Sequence, residues 1–179
     1  MYARKGYTFV ELMMVIVVVA IVIVSAMSGE DNGGKEQARL AAEQFESDVA
    51  YARSASIARP DNPLVIKVDT ANNRYWLAGS SDPNTPITHP RTGQPYIVSF
   101  GAGGTAGLDD VKLLSADVGT DQVLAFQSTG STDQQTPAVL QLSAGTATSE
   151  VSVSSASGKT VIRDKITVVL DDAPIASLN

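Results

Sequence analysis

The chain has 179 residues, no cysteine, a single histidine and a formal net charge of −6. The absence of cysteine excludes disulfides, thiol chemistry and cysteine-based metal sites. The acidic balance disfavours nucleic acid or an anionic membrane surface as a partner for the chain as a whole.

The N-terminal segment reads Arg4-Lys5-Gly6-Tyr7-Thr8-Phe9-Val10-Glu11, followed by an almost unbroken apolar run from Leu12 to Met27. As a helix rising about 1.5 Å per residue, residues 7–27 span roughly the ~30 Å hydrocarbon core of a bilayer. Arg4 and Lys5 precede this run whereas Glu30 and Asp31 follow it, so the short N-terminus is expected on the cytoplasmic side and the remainder outside. Glu11 stands alone among apolar neighbours. A carboxylate at the centre of a bilayer helix costs roughly 2.5–3.5 kcal/mol on insertion scales, so such a residue implies a function and a partner.

A secretory signal peptide also has a basic start and an apolar middle, but its apolar region is usually only ~7–15 residues long. Ser25-Ala26-Met27-Ser28-Gly29 offers a near miss for its cleavage site. An uncleaved anchor accounts for the length. Neither reading explains Glu11, or the glycine where the polar leader meets the apolar helix.

Lys5-Gly6-Tyr7-Thr8-Phe9-Val10-Glu11-Leu12 resembles the class III leader junction of type IV pilins and type II secretion pseudopilins. The resemblance implies a leader at residues 1–6 with basic Arg4 and Lys5. It further implies cleavage by prepilin peptidase after Gly6, N-methylation of the new amino terminus at Tyr7, and Glu11 as the fifth mature residue. That family usually begins its mature chain with Phe, from which Tyr7 departs. In a helical filament, Glu11 of one subunit could meet the positive Tyr7 amine of a neighbour, and losing one member of such a buried pair costs about 3–5 kcal/mol. The implied partners are prepilin peptidase, other pilins or pseudopilins, and an inner-membrane assembly platform. The implied location is the bacterial inner membrane, crossed once, with a periplasmic C-terminal domain.

Ser28 to Gly34 is rich in helix-averse residues and predicts a flexible break. From 35 to 59 a helical period resumes, with Ala38, Ala42, Phe45, Val49, Ala52 and Ser56 on one face, and Arg59-Pro60 ends it. This stripe reads as the side packed on a sheet.

Residues 60–179 predict a β-rich domain. Leu64–Val68 and Arg74–Ala78, joined by Ala71-Asn72-Asn73, form a hairpin. Further strands are expected at 96–100, 111–114, 123–126, 138–142, 150–154, 160–163 and 166–170, with a turn at Ser157-Gly158. The segments 79–95 and 101–107 read as loops. The fold class is therefore α+β, an N-terminal helix laid over antiparallel sheet.

Phe45 to Arg53, Ala55 to Arg59 and the strands after Pro63 are similar to the H-type minor pseudopilins, which are grouped with FimT-type minor pilins. Phe126-Gln127-Ser128-Thr129-Gly130 is similar to their downstream strand-turn element. The resemblance implies a non-enzymatic minor pseudopilin. The alternative is a minor type IV pilin for pilus assembly or DNA uptake; the latter needs clustered bases, whereas Arg163-Asp164-Lys165 and Asp171-Asp172 set acid against base.

No catalytic site is expected. Gly101 to Ala106 nominally fits a dinucleotide fingerprint but lacks the strand-helix-strand unit around it. Ser157-Gly158-Lys159-Thr160 has the tail of a phosphate loop, but Val153 stands where the first glycine belongs. His89 reads as a solvated loop residue with no nucleophile to serve. Asp109, Asp110, Asp117 and Asp121 match no defined calcium-loop spacing. No metal and no cofactor is assigned.

Overall fold

The computed structural model describes residues 9–27 and 32–166, in two compact units divided at Asn32. The leader junction (Arg4, Lys5, Gly6, Tyr7), residues 28–31 and most of the 166–170 strand candidate lie outside the described residues.

The first unit holds helix α1, Phe9–Met27, with Glu11 in its first turn. Phe9, Val10, Leu12, Met13, Val15, Ile16, Val18 and Ile21 are all exposed. A helix that is apolar all round is stable only where something else buries it, either lipid or neighbouring helices.

The second unit begins with α2, Asn32–Ala58. The helix therefore starts inside the segment expected to break it, with Gly33 and Gly34 helical. Each glycine costs about 1 kcal/mol against alanine, and the burial of Ala38, Ala41 and Ala42 immediately downstream offsets that local preference. The whole expected stripe of Ala38, Ala42, Phe45, Val49, Ala52 and Ser56 is buried.

Among the described residues the strands form two antiparallel sheets. Sheet 1 contains β1 (Leu64–Asp69), β2 (Arg74–Gly79), β3 (Asp82–Pro86), β4 (Ile97–Ser99) and β6 (Val123–Ala125). Its order is β3-β2-β1-β6, with β4 pairing on β2 as well. Ile66 faces Leu77 and Val68 faces Tyr75 across the central hairpin. These four point into the core, while Val65, Ala78 and Val123 form a small cluster of their own. Sheet 2 contains β5 (Lys112–Asp117), β7 (Ala138–Ala144), β8 (Ala147–Val153) and β9 (Thr160–Ile166), in the order β5-β7-β8-β9. Strict alternation in β7 and β8 turns Leu140, Leu142, Val151 and Val153 inward, where they join one core with α2 and sheet 1.

Two strand expectations are corrected. Within 79–95, Asp82–Pro86 is not loop but β3, pairing Gly79 with Asp82 and Ala78 with Pro86 around a register shift. Its prolines lack an N–H and are compatible with an edge strand, so composition alone concealed it. The run expected as separate strands at 160–163 and 166–170 is continuous through Ile166 as β9, because Arg163, Asp164 and Lys165 pair in register with Glu150, Ser149 and Thr148.

Candidate functional site

The chemistry of the second unit is concentrated where α2 meets the sheets. Asp48 is 2 % exposed and occupies the buried face beside Phe45, Val49 and Ala52. Its Oδ2 accepts from the Tyr75 hydroxyl at 2.6 Å, and its Oδ1 accepts from the Tyr96 hydroxyl at 2.8 Å and from Gln44 Nε2 at 3.0 Å. Burial raises the Asp48 carboxyl above its ordinary value, and the Tyr75, Tyr96 and Gln44 hydrogen bonds partly oppose that. Burial likewise pushes both tyrosine hydroxyls well up, reinforced by the adjacent carboxylate. Phe45 meets the Tyr75 ring edge-on at 5.1 Å, and Tyr51 stacks on Tyr96 at 6.0 Å. The arrangement fixes the helix to β2 of sheet 1.

Sheet 2 is held by the neighbouring helix residues. Arg53 Nε donates to the Gly130 carbonyl at 3.0 Å, and Thr160 Oγ1 donates to Glu46 at 2.6 Å. Gly130 and Gly158 both have positive φ, and a Cβ on either would strike Arg53. The strand-turn element from Phe126 to Gly130 thus ends directly beneath α2. A groove of about 550 Å³ runs along the C-terminal half of α2, lined by Tyr51, Ala55, Arg59, Leu64, Ile87 and Pro90 among others.

Of the residues expected to carry function, Glu11 is the one the structure describes, in the first turn of α1. The Gly6–Tyr7 junction is not among the described residues, so its spacing to Glu11 remains a sequence relationship. The described side chains of α1 run over residues 9–21, and among the described residues no helix is long and apolar enough to cross a membrane.

His89 departs from expectation. It is half-buried, with its ring centroid 4.3 Å from that of Tyr96. Its Nδ1 accepts from the backbone N–H groups of Arg91 and Thr92 at 3.1 and 3.3 Å. The acidic residues of 109–121 have separate employments: Asp110 exchanges hydrogen bonds with Gln37, and Asp121 Oδ1 accepts from Val123 N–H. Among the described residues no group of three or more histidines and carboxylates could hold a metal ion. Arg163 and Lys165 both pair with Glu150, whose carboxyl is held below its ordinary value chiefly by the Lys165 hydrogen bond.

Asp48 escaped the sequence reading because an acid on an apolar face has no signature of its own. The available signal was its position, three residues after Phe45 and four before Ala52, inside the buried stripe.

Residues 1–27 match the family described as the prokaryotic N-terminal methylation motif. No curated protein matches the chain. Among solved structures, the chain is similar to the minor pseudopilin EpsH from the type 2 secretion system of Vibrio cholerae. The likeness has a TM-score of 0.50 at 14% identity and covers 73% of this chain and 97% of that one. The chain thus carries a methylation motif of the type IV pilin-like kind at its N-terminus, and its α+β fold, a helix packed on antiparallel sheets, is like that of the pseudopilin EpsH.

Proposed function

We propose that this protein is a non-enzymatic structural subunit, a minor pseudopilin, of a type II secretion pseudopilus. The observation that carries the reading is α1: exposed apolar side chains on every side, Glu11 in its first turn, and the methylation motif spanning the same residues. Such a helix needs an apolar environment twice. Before assembly the bilayer supplies it, since the sequence over 7–27 is about 30 Å long as a helix. After assembly a bundle of neighbouring α1 helices supplies it.

On this reading, prepilin peptidase cuts after Gly6, the new Tyr7 amine is methylated, and Glu11 meets that amine on an adjacent subunit, fixing register. The mature chain sits in the bacterial inner membrane by its one apolar helix, with the sheet domain in the periplasm. It is drawn into the filament by an inner-membrane assembly platform. The minor-pseudopilin assignment draws on the fold likeness to EpsH together with the H-type resemblance of α2 and the first strands.

The test is the intact mass and N-terminal sequence of the protein recovered from membranes, with and without co-expressed prepilin peptidase. Loss of Met1 to Gly6 and a methyl group on Tyr7, only with the peptidase present, is the expected result. An intact N-terminus, or cleavage after Ala26 or Ser28, overturns the reading.

A further inference from the structure

The single histidine is built into a turn in a way that makes its protonation state matter. Residues 87–96 form a small hairpin tied to β2: Ile87 N–H donates to the Leu77 carbonyl, Leu77 N–H to that of Tyr96, and Tyr96 N–H to that of Ile87. At its tip, His89 N–H donates to the Gln94 carbonyl and Gly93 N–H to that of His89. The donors of Arg91 and Thr92 turn inward and converge on His89 Nδ1. A nitrogen that accepts two N–H groups must carry a lone pair, so Nδ1 can fill this role only while it is unprotonated.

We propose that His89 is an acid-released latch: with Nδ1 unprotonated it ties down the Arg91–Thr92 end of the 89–94 turn, and protonated there it lets that end go. Protonation places a hydrogen on Nδ1, and both backbone donors then face a donor. Either the ring or the turn has to give way. The ring is the better anchored of the two, lying against Tyr96, and a positive charge on it interacts favourably with the nearby Asp48 carboxylate. The turn is weakly held, since Pro90 through Pro95 are all exposed and Gly93 sits at φ +71.

The charged and titratable groups around the ring come from each neighbouring element. Asp48 and Tyr51 belong to α2, Tyr96 is the residue before β4, and Arg91 lies on the turn itself. Ile87, Thr88 and Pro90 line the groove together with Tyr51, Ala55 and Arg59; Ile87 stays bonded to Leu77 and Tyr96, so release alters the groove at Pro90 and leaves the core hydrogen bonds of Asp48 in place. The device stands on the described geometry and does not depend on the filament reading.

The test uses the full chain in detergent micelles, ¹⁵N-labelled at Arg and Thr, titrated from about pH 8 to about pH 5, the range in which histidine changes charge. The Arg91 and Thr92 amides should shift with the midpoint of the His89 ring, and their protection from solvent exchange, taken relative to an unprotected amide at the same pH, should fall roughly two- to tenfold in the acidic form, as loss of one net hydrogen bond each implies. His89→Asn retains an acceptor near the Nδ1 position and should abolish the transition. His89→Phe retains the stacking without the acceptor and should show low protection throughout. A ring that titrates while both amides stay fixed, or a His89→Asn chain with the same pH response, overturns the proposal.

Discussion

The Tyr75 hydroxyl donates to Asp48 Oδ2 at 2.6 Å inside the core, joining β2 to α2 across 27 residues of sequence. Asp48 accepts from Tyr96 as well, so one carboxylate holds the helix both to β2 and to the residue just before β4. Among the described residues no buried side-chain polar atom lacks a partner. Asp48→Ala strands two hydroxyls and should cost about 2–4 kcal/mol of stability. Asp48→Asn keeps an acceptor and should cost about half as much. Urea unfolding of the two variants measures the difference.

The same carboxylate has a pH signature. Its folded value is raised, mainly by burial, so the native state holds the proton more tightly than the unfolded chain. That contribution to stability is complete below the unfolded carboxylate value of about 3.9 and is lost as pH rises through the folded one. Stability of the wild type relative to Asp48→Asn should therefore fall on going from about pH 4 to about pH 7. A difference that stays level across this range would contradict the assignment.

Gly158 is required by close approach as well as by φ. A Cβ there would lie 2.3 Å from the Gly130 carbonyl oxygen and 2.9 Å from Arg53 Cδ, at φ +62. Gly158→Ala should lose about 2–4 kcal/mol, combining backbone strain with overpacking. Gly107 has φ +84 but nothing within 4 Å of its would-be Cβ, and Gly107→Ala should lose only about 1–2 kcal/mol. Thermal melts of the two variants separate clash from strain.

Asn73 joins the sheets. It sits at φ 54 in the β1–β2 turn, where its Nδ2 donates to the Val111 carbonyl and its Oδ1 accepts from Leu113 N–H at the start of β5. Asn73→Gly relieves the backbone but deletes both bonds, and should cost about 1–3 kcal/mol. Asn73→Ala adds the left-handed penalty of about 1–2 kcal/mol. Equal melting temperatures for the two would show that φ is not the constraint.

Glu11→Ala should leave membrane insertion unchanged or improved, since it removes an intramembrane charge, and should sharply reduce incorporation into filaments. Co-fractionation with sheared filaments measures the second effect. Wild-type incorporation would remove the proposed register role of Glu11.

The helix stripe and most strands were legible because each follows a simple period: Ala38, Ala42, Phe45, Val49 and Ala52 at helical steps, and the alternation of β7 and β8 at every second residue. The β3 segment was not, because Asp82-Pro83-Asn84-Thr85-Pro86 has the composition of a loop and becomes a strand only through pairing with β2. The two bonds to His89 were hidden for a related reason. A lone loop histidine carries no sign that two backbone donors will fold back onto it.

Local order alone determined that residues 9–27 form a helix apolar on every face, carrying one acid near its start, because hydropathy and charge spacing are properties of consecutive residues. It also determined that a small-residue helix face would be buried. Which groups share that burial was decided by tertiary structure: Asp48 with Tyr75 and Tyr96, Arg53 with Gly130 and Gly158, Asn73 with the start of β5. Each of these contacts joins residues far apart in sequence. Its energy comes from desolvation and hydrogen-bond geometry that exist only once the helix and both sheets are packed together.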